Sequence, residues 1–427
     1  MRRFLLSLLL TVAVTAVWSQ KDCRHQEYQQ QLLANNPQLA LQYEKVETFT
    51  RELALHKTMH DLGSPSSGAA TPDIITIPVV VHVLWNASSQ NISDAQIQSQ
   101  IDALNNDFRG RNADRSKVPS YFQSLATADC GIQFVLAKVD PKGLATTGIV
   151  RRWTNIQNFG YDDRAKHTNI GGDDAWDAAS YLNIWVCNTT GGLMGYSSIP
   201  GAAKENDGVV INTTVFGTIN VGGIYNKGRT AVHEVGHWLN LRHIWGDVYC
   251  GNDNVDDTPT QQSANRGCPS GEKFTCGNTA HGDMYMNYMD FTDDACMFMF
   301  TVGQRERMRA LFAPGGARYS LLASNGLTGA TTAEEAALPV PQTKVPALFS
   351  VMLYPNPAIS TITIQSDESV NCIGKTISIY NHLGQVVNNT LLQTRNQSID
   401  VSGLHSGVYF IKIAVISTNG MAKFIKQ

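Results

Sequence analysis

The chain has 427 residues, 43% of them apolar, which is long for one ordinary domain and enough for at least one sizeable core, so two or three folded units are expected. Lys plus Arg number 33 against 36 Asp plus Glu, and this formal charge of −3 excludes both the basic footprint of a nucleic-acid binder and a polybasic membrane patch. The substrate class has to be read from a site.

Residues 1–19 join Arg2 and Arg3 to an apolar run from Phe4 to Trp18. That run is shorter than the roughly 20 residues that span a bilayer, so the segment reads as a secretory signal peptide cleaved near Ser19. No later stretch is apolar for long enough, and the mature chain is expected to have no transmembrane span. Residues 20–65 are rich in Gln, Glu and Leu at helical spacing and read as a prosegment of helices. They run into DLGSPSSGAATPD, which has the Gly, Ser and Pro content of an exposed, cleavable connector.

A catalytic unit is expected over 66–322. It opens on the β-branched strand ITIPVVVHVLW, after which Ser93 caps a helix with Ile97, Ile101, Leu104 and Phe108 at helical spacing. GIQFVLAKVD, YLNIWVCNTT and DGVVINTTVFG read as further strands. Strands mixed with helices give an α+β fold.

TAVHEVGHWLNLRHIWGD then carries the chemistry. His233 and His237 are four apart, so on a helix both imidazoles reach one ion. His243 is out of phase with that face, and the chain must turn to bring it back. Three neutral imidazoles would hold zinc and leave a fourth position for water. Glu234 is placed to take a proton from that water and to deliver it to the departing amine. The bland reading is an amphipathic helix with satisfied core histidines; the third histidine at this spacing is what speaks against it.

The next loop, YCGNDNVDDTPTQ, gathers Asp253, Asp256, Asp257 and Thr258. It lacks the EF-hand pattern and reads either as a solvated acidic loop or as a set of oxygens for a hard cation. Cys250, Cys268, Cys276 and Cys296 fall in one stretch and read as two local staples, for which three connectivities exist. Cys23, Cys130, Cys187 and Cys372 are scattered. Residues 323–347 are an Ala-, Thr- and Pro-rich linker. Residues 348–427 show short alternating strands broken by Gly and Asn, as in a small antiparallel β-sandwich.

NISDAQIQSQIDALNNDFRG, YLNIWVC, GRTAVHEVGHWLNLRHIWGD and NYMDFTDDACMFMFTVGQRERM resemble the pappalysin family of metzincin metallopeptidases across most of Ile75 to Leu322. The family's motif is H-E-x-x-H-x-x-G-x-x-H followed by a Met-turn. Asn240 stands here for the motif's Gly; Asn is the next best residue at positive φ, so the turn to His243 is expected to survive. The resemblance implies a metzincin-like fold, catalytic zinc, Met289 as the Met-turn residue, and structural calcium at the Asp253–Thr258 loop. It also implies the disulfides Cys250–Cys276 and Cys268–Cys296, and a preference for Arg or Lys on the carboxyl side of the cut, with Asp293 and Asp294 at the base of that pocket. Family members often carry Tyr where this chain has Phe291, and a phenyl ring cannot donate to the transition-state oxyanion; Tyr288 is a candidate replacement. Cys23 is expected either to pair with Cys130 or Cys187, or to hold the enzyme latent by placing its thiolate on the zinc's open position.

LYPNPAISTITI, IDVSGLHSGVYFIKI and KFIKQ closely resemble the C-terminal sorting domain of type IX secretion cargo in Bacteroidetes-type bacteria. Strand alternation alone also permits an adhesive or carbohydrate-binding sandwich. The sorting reading implies the secretion machinery as a partner and passage through the periplasm to the outer surface. Together these features predict a secreted zinc endopeptidase of proteins and peptides, with an inactive, zinc-containing adhesin as the alternative.

Overall fold

The computed structural model describes residues 22–61, 73–127, 129–328, 351–366, 373–381, 385–414 and 419–427. The predicted signal peptide, the connector from 62 to 72, most of the linker and Cys372 lie outside them. The chain divides into two units, 1–335 and 336–427.

The first unit is organised on β2 (Ile75–Trp85), which is buried along nearly its whole length. Such a run of Val and Ile suits a central strand covered on both faces, because either side of the pleat then meets apolar side chains. Its first half pairs in parallel with β3 (Ile132–Leu136) and its second half with β4 (Ile149–Trp153). On its other side lie β5 (Leu182–Cys187) and then β7 (Val209–Asn212), both parallel. β6 (Leu193–Ser197) closes this side antiparallel to β7. A two-residue strand, β1 (Asp22–Cys23), adds to the outer edge of β6 in parallel.

Under the sheet run α3 (Asp94–Phe108) and α4 (Arg229–Trp238). Ser93 Oγ accepts the Gln96 amide at 3.1 Å and so caps α3 as its sequence predicts. Ile97, Ile101, Leu104, Val232 and Val235 are buried against Ile77, Val79 and Ile184 in one core, each contributing about 1.5–3 kcal/mol of burial. The Arg229 guanidinium donates to both Asp107 and Asp114, tying the first turn of α4 to the end of α3. An unpaired arginine there would be costly, so the pair of carboxylates fixes where α4 begins.

The residues predicted to be a prosegment form α1 (His25–Asn35) and α2 (Pro37–Asp61), and α2 packs against α5 (Val302–Ala310). α5 starts in a capping box of Thr301 and Gln304. Past Leu322 the chain is still packed: the Gly326 carbonyl accepts the amides of Lys138 and Val139, and a Cβ at Gly326 would come within 2.6 Å of the Tyr181 ring.

The second unit has two antiparallel sheets. One is ordered β11 (Val386–Leu391), β10 (Thr376–Tyr380), β13 (Gly407–Ala414), β14 (Asn419–Lys426); the other is β12 (Asn396–Asp400), β9 (Thr361–Ser366), β8 (Val351–Tyr354). Ile362, Ile364, Ile377, Ile379, Ile411 and Phe424 form its core. No helix among the described residues is long and apolar enough to cross a membrane.

Candidate active site

His233 and His237 lie one turn apart on α4, and the chain then reverses at Asn240, whose φ of +71° is the left-handed conformation that the motif's glycine serves. The turn returns His243 to the same point. His237 Nε2 lies 3.1 Å from Nε2 of both His233 and His243. Each opposite ring nitrogen has an acceptor: His233 Nδ1 donates to the Tyr288 carbonyl at 2.7 Å, His237 Nδ1 to the Leu241 carbonyl at 2.8 Å, and His243 Nδ1 to Asp247. These acceptors keep the protons on Nδ1 and leave three Nε2 lone pairs converging, the donor arrangement a tetrahedral zinc requires. Burial, with the neighbouring imidazoles His25, His243 and His233, drives His237 well below the usual histidine range and keeps it neutral.

Glu234 is fully buried beside these ligands. Its closeness to β6 depends on Gly195, where a Cβ would meet Glu234 Cγ at 2.8 Å. Met289 lies beneath α4, with Sδ 2.6 Å from where a Cβ of Gly236 would stand, so the Gly of HEVGH is required by this contact. Asn287 Oδ1 accepts the Met289 amide at 2.9 Å, and Asn287 is itself bound to Gln304 of α5, which holds this turn against the helix.

The segment predicted to be a prosegment reaches into the site. Cys23 pairs with Gly195 of β6, and its Sγ lies 3.7 Å from His237 Nε2. Among the described residues, Cys23, His233, His237 and His243 are the one group of three or more Cys, His, Asp or Glu whose ligand atoms lie within 4.8 Å of one another. His25 stacks on His237 with centroids 3.9 Å apart and donates from Nδ1 to the Ser197 carbonyl at 3.1 Å. Burial, followed by the neighbouring His243, lowers His25 to about 3, so it is a neutral ring. Cys130 and Cys187 are buried thiols within the catalytic core.

Other residues singled out by sequence take the following places. Cys250 is bonded to Cys276 and Cys268 to Cys296. Asp253 Oδ1 accepts from the Val255 amide and the Thr258 hydroxyl, and Asp257 Oδ2 accepts the Gly303 amide at the start of α5. Asp253 Oδ2 and Asp257 Oδ1 are buried with no donor among the described residues, and burial pushes Asp253 up to about 7. Asp256 is exposed. Asp294 is fully buried, with Oδ2 accepting the amides of Lys227 and Arg229; Asp293 is partly exposed.

Phe291 lies against the ligands, its ring 4.9 Å from His243 and 5.6 Å from His233. Tyr288 does not stand in for the missing phenol. Its ring packs on Phe300 and faces Arg229, and its hydroxyl is directed at Asp107, away from the imidazoles. Asp247, His25 and Gly195 are site residues that sequence reasoning missed. Asp247 alone had a local signal, four residues beyond His243.

The family described as pregnancy-associated plasma protein-A matches residues 166–313, and a secretion system C-terminal sorting domain matches 352–427. An extracellular metalloprotease of Pyricularia oryzae is 35% identical over 260 residues, covering 57% of this chain and 77% of that protein. Mature mirolysin of Tannerella forsythia in complex with a cleaved peptide is 50% identical, covering 59% of this chain and 97% of that one, with a TM-score of 0.58. A promirolysin mutant from the same organism is 45% identical and covers 71% of this chain and 97% of that one, with a TM-score of 0.62. With three imidazoles converging beside a buried glutamate, the chain belongs to the pregnancy-associated plasma protein-A family of zinc metallopeptidases, the pappalysins.

Proposed function

We propose that this zinc metalloendopeptidase is made latent, exported by type IX machinery, and switched on by loss of its prosegment. The observation that carries the site assignment is the convergence of three Nε2 atoms, each backed by an acceptor on Nδ1. His233, His237 and His243 hold the zinc. Bound zinc supplies a Lewis acid that acidifies water and polarises the scissile carbonyl. Glu234, buried with Gly195 and β6 beside it, accepts the water's proton and returns it to the leaving amine. β6 offers its edge to the substrate backbone, and Met289 with its Asn287 support keeps the floor under α4 rigid.

Latency is supported by the Cys23 thiol against His237 and by strand direction. β1 runs parallel to β6, whereas a substrate pairing antiparallel to β6 would thread the cleft the opposite way. The prosegment thus covers the site in an orientation unlike that of a chain being cut. A structural calcium is supported by the two buried carboxylate oxygens of Asp253 and Asp257 that lack donors. Asp256, Thr258 and backbone carbonyls of the loop would have to complete that ligand set. The preference for Arg or Lys after the cut is supported by the buried Asp294 carboxylate beyond the Met-turn, held in place by two amides.

The test is to compare wild type, Glu234→Ala and Cys23→Ala. Glu234→Ala is expected to keep zinc while losing proteolysis, and uncleaved Cys23→Ala to be more active than uncleaved wild type. Equal cutting by wild type and Glu234→Ala would refute the catalytic assignment; an inactive uncleaved Cys23→Ala chain would refute the thiol's role.

A further inference from the structure

Tyr28 belongs to the prosegment, yet the polar and aromatic groups that its side chain meets belong to the catalytic unit. It is 2% exposed. Its hydroxyl donates to the Asp163 carboxylate, with distances of 2.9 and 2.8 Å to the two oxygens. Lys166, fully buried, pairs with Asp163 at 2.7 Å and donates to the Asn206 carbonyl at 2.8 Å. Its third donor faces the Tyr28 hydroxyl at 3.3 Å. The same ammonium lies 5.1, 5.7 and 5.0 Å from the ring centres of Tyr28, Trp185 and Tyr196, and the Tyr28 and Tyr196 rings are 4.9 Å apart. Asp163 holds its carboxylate in place from a left-handed backbone at φ +60°, a conformation that a residue other than glycine adopts at some cost.

The chemistry of this socket is selective. Aromatic walls and a cation favour a ring, and the carboxylate–ammonium floor favours a ring bearing a hydroxyl. A phenyl group would leave Asp163 with only its Lys166 partner and one Lys166 donor desolvated without an acceptor, which is how a site built for a hydroxyl rejects its absence. We propose that the socket is a substrate subsite: once the prosegment has gone, it takes a tyrosine side chain of the polypeptide on the amino side of the scissile bond. The proposal rests on the reading that the prosegment leaves the mature enzyme.

Position follows from the path of the prosegment. From Cys23, which pairs with Gly195, the chain runs toward the carboxyl end of β6, where His25 meets the Ser197 carbonyl. A substrate antiparallel to β6 has its amino-terminal part on that side. Tyr28 is five residues past Cys23 and largely on α1. The two steps from Cys23 to His25 span about 3.3 Å each and the three along α1 rise about 1.5 Å each, roughly 11 Å together, which an extended peptide covers in about three or four residues.

The experiment uses the full chain cleaved in the connector and freed of its prosegment, and peptides spanning a cut already mapped on a denatured protein. Tyr, Phe or Ala is placed at each of the first four positions before the cut, and after it as a control. Tyr at the third or fourth position before the cut is expected to raise kcat/KM about tenfold over Phe. It should also tighten binding to the cleaved Glu234→Ala chain, read by fluorescence anisotropy, by a similar factor. Asp163→Asn keeps a residue that tolerates left-handed backbone and should bring the Tyr-to-Phe ratio toward one. If that variant does not fold, the wild-type peptide series decides alone. Equal values for Tyr, Phe and Ala at every amino-side position, or a Tyr advantage only after the cut, overturn the proposal. Full activity of the uncleaved chain on the Ala peptide would instead refute latency, and the cleaved chain's Tyr-to-Phe ratio would still judge the socket.

Discussion

Glu47→Gln should loosen the prosegment without touching the zinc site. Glu47 on α2 accepts from Arg307 Nη2 at 2.5 Å, Arg242 Nη2 at 3.1 Å and Asn254 Nδ2 at 2.9 Å. The Glu47 side chain is 15% exposed and that of Arg307 4%. Breaking a buried pair costs about 3–5 kcal/mol, since it strands a charge. Glutamine keeps one carbonyl acceptor and Glu47 retains some water, so about 2 kcal/mol is expected, or roughly 30-fold in affinity. The assay is inhibition of the cleaved enzyme by a separate prosegment peptide, residues 20–65, with the variant's inhibition constant about 30-fold higher. Glu44→Gln, at an exposed position of the same helix, should change it less than about twofold. Equal inhibition by the wild-type and Glu47→Gln peptides would refute the reasoning.

The same carboxylate makes docking depend on pH. Burial works to raise Glu47, but Arg307, Arg242 and Asn254 outweigh it and hold it below the usual glutamate range. Docking therefore favours the ionised form: the Glu47 contribution is complete above the ordinary carboxylate pKa and is lost as pH falls through the lowered, docked value. The difference between wild-type and Glu47→Gln inhibition constants should shrink across that acidic window, and a constant difference would contradict it. Asp247→Asn should weaken zinc binding by about 10- to 100-fold, because it removes the anionic acceptor behind His243; chelator competition on the cleaved chain measures this. Removing Cys268–Cys296 by double Ser substitution should cost about 3.5 kcal/mol for a loop of 28 residues, read as a lowered denaturation midpoint.

The sequence determined the local features, because their causes lie within one turn or one strand. A four-residue interval puts His233 and His237 on one face through helical periodicity alone, and Asn240 is one of few residues besides glycine that reverses a helix end at positive φ. Ser93 before an apolar repeat starts α3, and unbroken β-branched runs announce covered strands such as β2. The spacing beyond His237 already marked His243 as a third ligand, and the resemblance to pappalysins named the Met-turn. What tertiary structure decided involves residues far apart in the chain, whose meeting depends on how elements pack. Cys23 meets His237 across 214 positions only because β1 adds to the edge of β6. Gly195 is needed because that strand passes against Glu234, and Gly236 because Met289 presses from below. Tyr288 looked available as a donor from its place beside the Met-turn, but its hydroxyl is directed at Asp107 at the end of α3, where the buried Arg229 faces its ring. Spacing could not foretell such contacts, since they are set by which buried charges must be paired and which surfaces must close together.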